Sequence, residues 1–297
     1  MTGVRLNLSH VTLLEAAGQI EALHSAAARC GVKAKLLVDM QGPELRVGAL
    51  KESLFLENGA EILLGAGGLP VPEIVLPYLV KGQKVLLDDG KLLLEVIEPT
   101  RAKVLRGGEL KGKKSIALPG AAIRTPAMTA QDLANIARAS EFGVTGVMQP
   151  FVRDREDLET VRKALNAANC SHIRLFAKVE NMDGVKNLDS LLPECDEIVI
   201  ARGDLGNAME LWELPRVQKQ IAAKCRAAGR DFMVVTQMLS SMEKSPVPTR
   251  AEVSDIYNAV LDGASSVMVT GETAVGAYPV EVIKYLANTA KEAARNV

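Results

Sequence analysis

The chain has 297 residues, a formal net charge of −1 and 24% charged residues. It has no basic block, which argues against nucleic acid or an anionic membrane surface as a partner. Hydrophobic residues make up 48% and aromatics only 3%, so a core must be built from Val, Leu, Ile and Ala, a composition suited to buried parallel strands and packed helices. Cys30, Cys170, Cys195 and Cys225 show no CxxC spacing, and His10, His24 and His172 form no metal-ligand set. Buried free thiols in a reducing cytoplasm are therefore expected. The opening residues lack the pattern of a leader, and no apolar run is long enough to span a bilayer.

In chain order, GVRLNLSH predicts a strand from Val4, followed by an amphipathic helix over 13–30 and the strand AKLLVDM. From Gly48 to about Ile116 the character changes. Gly and Pro clusters such as GAGGLPVPE separate short alternating runs such as KVLLDDGKLLLEVI, where Asp89-Gly90 is a hairpin turn. This reads as a β-rich insertion. Helix–strand alternation then resumes, with helices predicted over 129–142, 154–168, 214–228, 249–262 and 279–295, and Thr129 as an N-cap. Barrel-type strands are predicted at 4–9, 34–40, 146–150, 173–179, 197–202, 231–237 and 266–270. Repeated βα units of this length predict a parallel sheet, and their number favours a barrel over an open sheet.

The stretch Ile173–Gly206 contains two apolar runs, IRLFAKV and EIVIA, joined by a segment long enough for a crossover helix. The runs end in Lys178 and Glu180, and in Arg202 and Asp204. The C-terminal ends of parallel strands share one side of a sheet, so Lys178, Glu180 and Asp204 are expected at one mouth. Two carboxylates there suit a hard divalent cation, and a lysine beside them suits a developing negative charge. The Gly-Asp-Leu-Gly turn is expected to offer backbone N–H groups to an anion.

KVEN (178–181) and ARGDLG (201–206) resemble two signature segments of the pyruvate kinase family. RLNLSH (5–10), DMQGPELR (39–46), DDG (88–90), LPGAA (118–122), VTQML (235–239), PTRAE (248–252) and TGETAVGAYP (270–279) extend the resemblance over nearly the whole chain, in the family's order. The resemblance implies a TIM-type (β/α)8 barrel of the phosphoenolpyruvate/pyruvate type, built from 1–47 and 117–297, with a small B-like domain at 48–116. It implies a cytoplasmic phosphotransferase acting on phosphoenolpyruvate and ADP/ATP, with room for a homo-oligomer. Glu180 and Asp204 would hold Mg2+ or Mn2+. Asn7, Ser9, Asp39 and the carbonyl of Met40 would hold K+, and Glu44 fits the potassium-dependent pattern. Lys178 and Thr236 would be catalytic, together with Arg46. Gly203, Asp204, Thr236 and Arg46 would bind substrate, and Arg5, His10 and Lys114 the nucleotide. On the residues alone, Asp39 and Arg46 could equally form a structural ion pair, and Lys114 could be a solvated loop lysine.

The sequence also departs from the family pattern. Met40-Gln41 stands where the family has Thr-Lys, and Gln149-Pro150 where it has a small strand-end residue. Asn207-Ala208 and Val275 replace a hydrophobic residue with Glu, and a lysine. The family's first strand and its C-terminal domain have no counterpart among these residues, which gives the expectation of a natural start upstream of Met1. Two readings stand beside the kinase: a metal-dependent aldolase or lyase acting through a pyruvate enolate, and a truncated homologue with impaired activity.

Overall fold

Along the strand Arg174–Val179, Leu175, Ala177 and Val179 alternate with Arg174, Phe176 and Lys178. The first set packs into a large aliphatic core with the surrounding helices, while Phe176 joins a smaller cluster with Met148, Val199, Ala201, Met233 and Val235. A strand buried on both faces is thus apolar almost throughout, and its period of two decides which residues line the inside. Gly146 leaves the room that Phe176 needs: a Cβ there would lie 2.6 Å from the ring.

The computed structural model describes residues 1–9, 11–121 and 123–296. Seven parallel strands, Gly3–Asn7, Lys35–Asp39, Gly146–Gln149, Arg174–Val179, Glu197–Ala201, Asp231–Val235 and Ser266–Met268, pair in that order. Helices Ala17–Arg29, Ala130–Arg138, Arg155–Ala167, Leu214–Ala227, Arg250–Leu261 and Pro279–Ala293 alternate with them. This is the curled sheet of a TIM-type barrel, and its strands are the seven expected. Among the described residues, no helix is long and apolar enough to cross a membrane.

Several boundaries differ from expectation for local reasons. The first helix starts at Ala17 rather than near Leu13, because Thr12 and Glu15 form their own turn, with Thr12 N–H donating to Glu15 Oε2 at 2.7 Å. The Asp231–Val235 strand stops short of Gln237 because Thr236 and Gln237 adopt positive φ, 83° and 55°. The Gly-Asp-Leu-Gly segment is a short helix, Arg202–Asn207, rather than an open turn. Cys170, Cys195 and Cys225 are buried free thiols, but Cys30 is exposed at the end of the first helix. Trp212 is also exposed, on the segment leading into Leu214–Ala227.

The chain divides into two compact units, Met1–Gly42 with Ala127–Val297, and Pro43–Pro126. The second has its own aliphatic core around Val85, Leu87, Leu94, Val96 and Val104. Its five-stranded sheet contains the hairpin of Lys84–Leu87 with Leu92–Glu98. Asp88, Asp89 and Gly90 all take positive φ in that turn, which explains the Asp-Asp-Gly sequence.

At the N-terminal ends of the barrel strands, Glu197 is buried. It accepts from Ser266 Oγ at 2.6 Å and Ser265 Oγ at 3.2 Å, and lies 3.3 Å from Arg174. Burial raises its pKa, partly offset by Ser266 and Arg174. A carboxyl with a raised folded pKa contributes stability below its unfolded pKa of about 4.3, and that contribution fades as pH rises through the folded value. The Tm of Glu197→Gln, taken relative to wild type, is therefore expected to be more favourable at pH 7 than at pH 4. Thermal melts at the two pH values check this, and an unchanged difference would contradict it.

Candidate functional site

The inward alternation that buries Phe176 carries Lys178 to the C-terminal mouth of the barrel. There Lys178 Nζ lies 2.9 Å from Asp39 Oδ2 and 3.0 Å from Glu180 Oε1. Arg5 makes a second, close ion pair with the same Asp39 oxygen. Arg5 and Asp39 lie on adjacent strands, in which Asn7 stands level with Asp39. Asp39 and Glu180 are almost wholly buried, and Lys178 and Arg5 only slightly exposed.

Burial alone would push the Lys178 ammonium down, but Asp39 and Glu180 outweigh it and hold its pKa above the ordinary lysine value. Burial likewise pushes Asp39 up, and Lys178 and Arg5 outweigh it, holding the carboxyl below the usual range. Both groups therefore stay charged near neutrality. Such a network is costly to bury and costly to break, since loss of one member leaves the others uncompensated. The other oxygen of Glu180 accepts from Phe151 N–H at 2.8 Å, and Phe151 has a positive φ of 51°. Glu180 thus fixes the start of the loop after its neighbouring strand.

The strands that end near Glu180 and Asp204 are adjacent, with Val179 paired to Ile200. Asp204 follows on the Arg202–Asn207 helix. Gly203 backs onto Thr236: a Cβ at Gly203 would lie 3.1 Å from Thr236 Cγ2. As a donor set, Glu180 and Asp204 offer only hard carboxylate oxygens, which fits Mg2+ or Mn2+ with the rest of the shell left to water or substrate. Among the described residues, no three His, Cys, Asp or Glu side chains gather as a self-sufficient metal cage. Asn7, Ser9, Asp39 and Met40 are likewise oxygen donors. Asn7 Oδ1 accepts from Ser9 N–H at 3.1 Å, and the Asp39 carboxylate is shared by Arg5 and Lys178.

In the Pro43–Pro126 unit, Arg46 and Lys114 are brought together by backbone pairing, with Val47 N–H donating to Lys114 O at 2.8 Å. Arg46 is paired with Glu44 and donates to Lys113 O at 2.9 Å. Lys114 lies in a loop with its side chain 38% exposed, and its Nζ is 2.8 Å from Asp88 Oδ1. His10 lies outside the described residues. Gln149 is on the helix side of its strand, where its Nε2 donates to Ala127 O at 2.7 Å, so it does not enter the mouth.

Two roles were not read from the sequence. Asp132 is fully buried and accepts from the N–H groups of Gln41 and Gly42, at 2.8 and 3.0 Å, so it pins the loop after Asp39. The signal was present in the Thr129-x-x-Asp132 capping box. The other is the role of Arg202, whose guanidinium donates to the carbonyl of Thr236. Its place within ARGDLG, at the end of the EIVIA run, was visible, but its acceptor was not.

The family model described as pyruvate kinase, barrel domain, matches residues 1–283. Among curated proteins, the pyruvate kinase of Geobacillus stearothermophilus is 38% identical over 96% of this chain and 51% of its own length. That of Bacillus licheniformis is 36% identical over 98% and 52%. That of Clostridium acetobutylicum is 35% identical over 100% and 66%. The chain spans about half the length of the first two and 66% of the third. A strand-ordered barrel with the KVEN and ARGDLG segments at one mouth, matched along nearly its whole length, belongs to the pyruvate kinase barrel-domain family.

Proposed function

We propose that this chain carries the phosphotransfer centre of a pyruvate kinase, converting phosphoenolpyruvate and ADP to pyruvate and ATP. The observation that carries the reading is the buried ammonium of Lys178, held charged between Asp39 and Glu180 at the barrel mouth. Phosphoryl transfer needs positioning and charge neutralisation rather than a covalent nucleophile. A preorganised cation in a dry site supplies that neutralisation without reorganisation.

In this reading the phosphorus–oxygen bond to the enol breaks as a bond to the ADP terminal oxygen forms. Lys178 faces the charge that develops on the transferring group and the enolate oxygen. Arg5 and Arg46 offer guanidinium forks to phosphate, and Lys114 offers a point charge to the nucleotide. The backbone at Gly203 and Asp204, with Thr236, holds the substrate carboxylate, and the Thr236 hydroxyl lies on the route by which the enolate carbon gains its proton. Glu180 and Asp204 would hold the divalent ion, which when bound neutralises phosphate and enolate charge. Asn7, Ser9, Asp39 and the Met40 carbonyl would hold K+.

A lactate dehydrogenase-coupled assay of the purified chain tests the reading. Pyruvate should form from phosphoenolpyruvate only when ADP and Mg2+ or Mn2+ are present. Pyruvate release independent of ADP would instead mean hydrolysis of the enol phosphate, with water taking the phosphoryl group, and metal-dependent pyruvate release from a 4-hydroxy-2-oxo acid would favour a lyase. Activity is also expected to depend on potassium. Rates in KCl should exceed those in a large organic cation chloride at equal ionic strength, and equal rates would remove the monovalent site from the proposal.

A further inference from the structure

Thr236 and Gln237 follow directly on the strand Asp231–Val235, and both are non-glycine residues at positive φ, 83° and 55°. A β-branched residue in that region is a steric outlier, and such backbone persists only where its surroundings over-determine it. The strand pairing shows what does so here. Ala201 stands opposite Val235 in the parallel register, which places Arg202 and Thr236 next to each other just beyond the sheet. Arg202 donates to the Thr236 carbonyl from both Nε, at 3.1 Å, and Nη2, at 2.7 Å. The same Nη2 lies 2.9 Å from Met238 Sδ. Its remaining arm, Nη1, donates to Asp255 Oδ1 at 2.8 Å, on the helix Arg250–Leu261.

The guanidinium is therefore turned wholly toward protein acceptors, with its side chain 13% exposed. It faces away from an anion-binding role, which is what a strand-end arginine in a phosphotransferase otherwise suggests. Beyond the fork, Gly203 lies close to Thr236: a Cβ added there would come 3.1 Å from Thr236 Cγ2. Glu272 accepts from Leu239 N–H at 3.1 Å and Thr270 N–H at 2.7 Å, and closes the end of the same turn.

We propose that Arg202 is a positioning residue. Its two-pronged hold on the Thr236 carbonyl, braced by Asp255, keeps the strained turn in place and so aims the Thr236 hydroxyl beside Gly203 and Asp204. Lysine cannot replace it, because an ammonium lacks the planar fork that meets one carbonyl with two donors while reaching Asp255. The kinetic consequence rests on the phosphotransferase reading, whereas the effect on the turn itself does not.

The test uses Arg202→Met, Arg202→Lys, Thr236→Val and the double variant Arg202→Met/Thr236→Val. The first arm labels threonine methyls with 13C and follows the Thr236 resonance, assigned from its absence in Thr236→Val. Both Arg202 variants should shift or broaden that resonance, while circular dichroism and the methyl signals of distant threonines such as Thr160 stay as in wild type. An unmoved Thr236 signal overturns the proposal whether or not the chain is active. The second arm measures turnover. Arg202→Met and Arg202→Lys should each lower kcat about ten- to a hundred-fold, the range expected when a catalytic group is misplaced by about 1 Å. In the Thr236→Val background, the arginine change should cost less than about twofold further, because a positioning residue has nothing left to position. Full additivity would show that Arg202 acts on its own account. A wild-type chain without pyruvate formation would refute the phosphotransferase reading and leave the methyl arm to decide the positioning role.

Discussion

Lys178→Met is expected to lower turnover roughly a hundred-fold or more, since removal of one preorganised charge contact costs about 3 kcal/mol in the barrier. The substitution keeps side-chain length and apolar stem while deleting the ammonium that Asp39 and Glu180 share. Asp39 keeps Arg5, and Glu180 keeps the Phe151 N–H, so the barrel should still fold, with a lowered Tm because Glu180 loses its cation and with its circular dichroism unchanged at the assay temperature. Steady-state kinetics at saturating phosphoenolpyruvate check the chemistry, and a variant that kept most of the wild-type kcat would sink the assignment of Lys178.

Asp39→Ala should act chiefly on stability. Its carboxylate is 2% exposed and neutralises Arg5 while sharing Lys178. Removing one partner of a buried network costs about 3–5 kcal/mol, because the remaining charges lose their compensation. At a few degrees per kcal/mol for a domain of this size, Tm should fall on the order of 10 °C. The pH dependence has a definite sign. The folded pKa of Asp39 is depressed, so its contribution is present above the unfolded value of about 3.9 and is lost as pH falls through the lower folded value. The Tm gap between wild type and Asp39→Ala should be full at pH 6–7 and should narrow below about pH 4. A gap that is absent at neutral pH, or independent of pH, would contradict the network.

Much of the architecture could be read directly because it rests on short-range periodicity. The seven apolar runs, the Asp-Asp-Gly hairpin and the capped helices declare themselves within a few residues. The mouth was also legible at Lys178 and Glu180, since a period of two fixes which way a strand-end side chain points. What was not legible depended on neighbours far apart in the chain. Sequence alone left Asp39 and Arg46 as candidate partners, whereas Asp39 pairs with Arg5 and Lys178, and Arg46 with Glu44. Lys114 sat in a run that reads as solvated, yet its partner Asp88 comes from the hairpin turn. The early end of the strand at Val235 has the same origin. Nothing in VTQML signals positive φ at two non-glycine residues, because the forces that hold it belong to Arg202 and Glu272.

The exposed indole has a photophysical consequence. Trp212 is the chain's one tryptophan and is 79% exposed in the folded protein. Its emission should already sit at the red, water-relaxed end of the indole range, so unfolding in denaturant should shift the maximum hardly at all. The dye built into the chain is thus nearly blind to the collapse of the barrel. It is poised instead to report, by a blue shift, anything that settles over the segment joining the Arg202–Asn207 and Leu214–Ala227 helices.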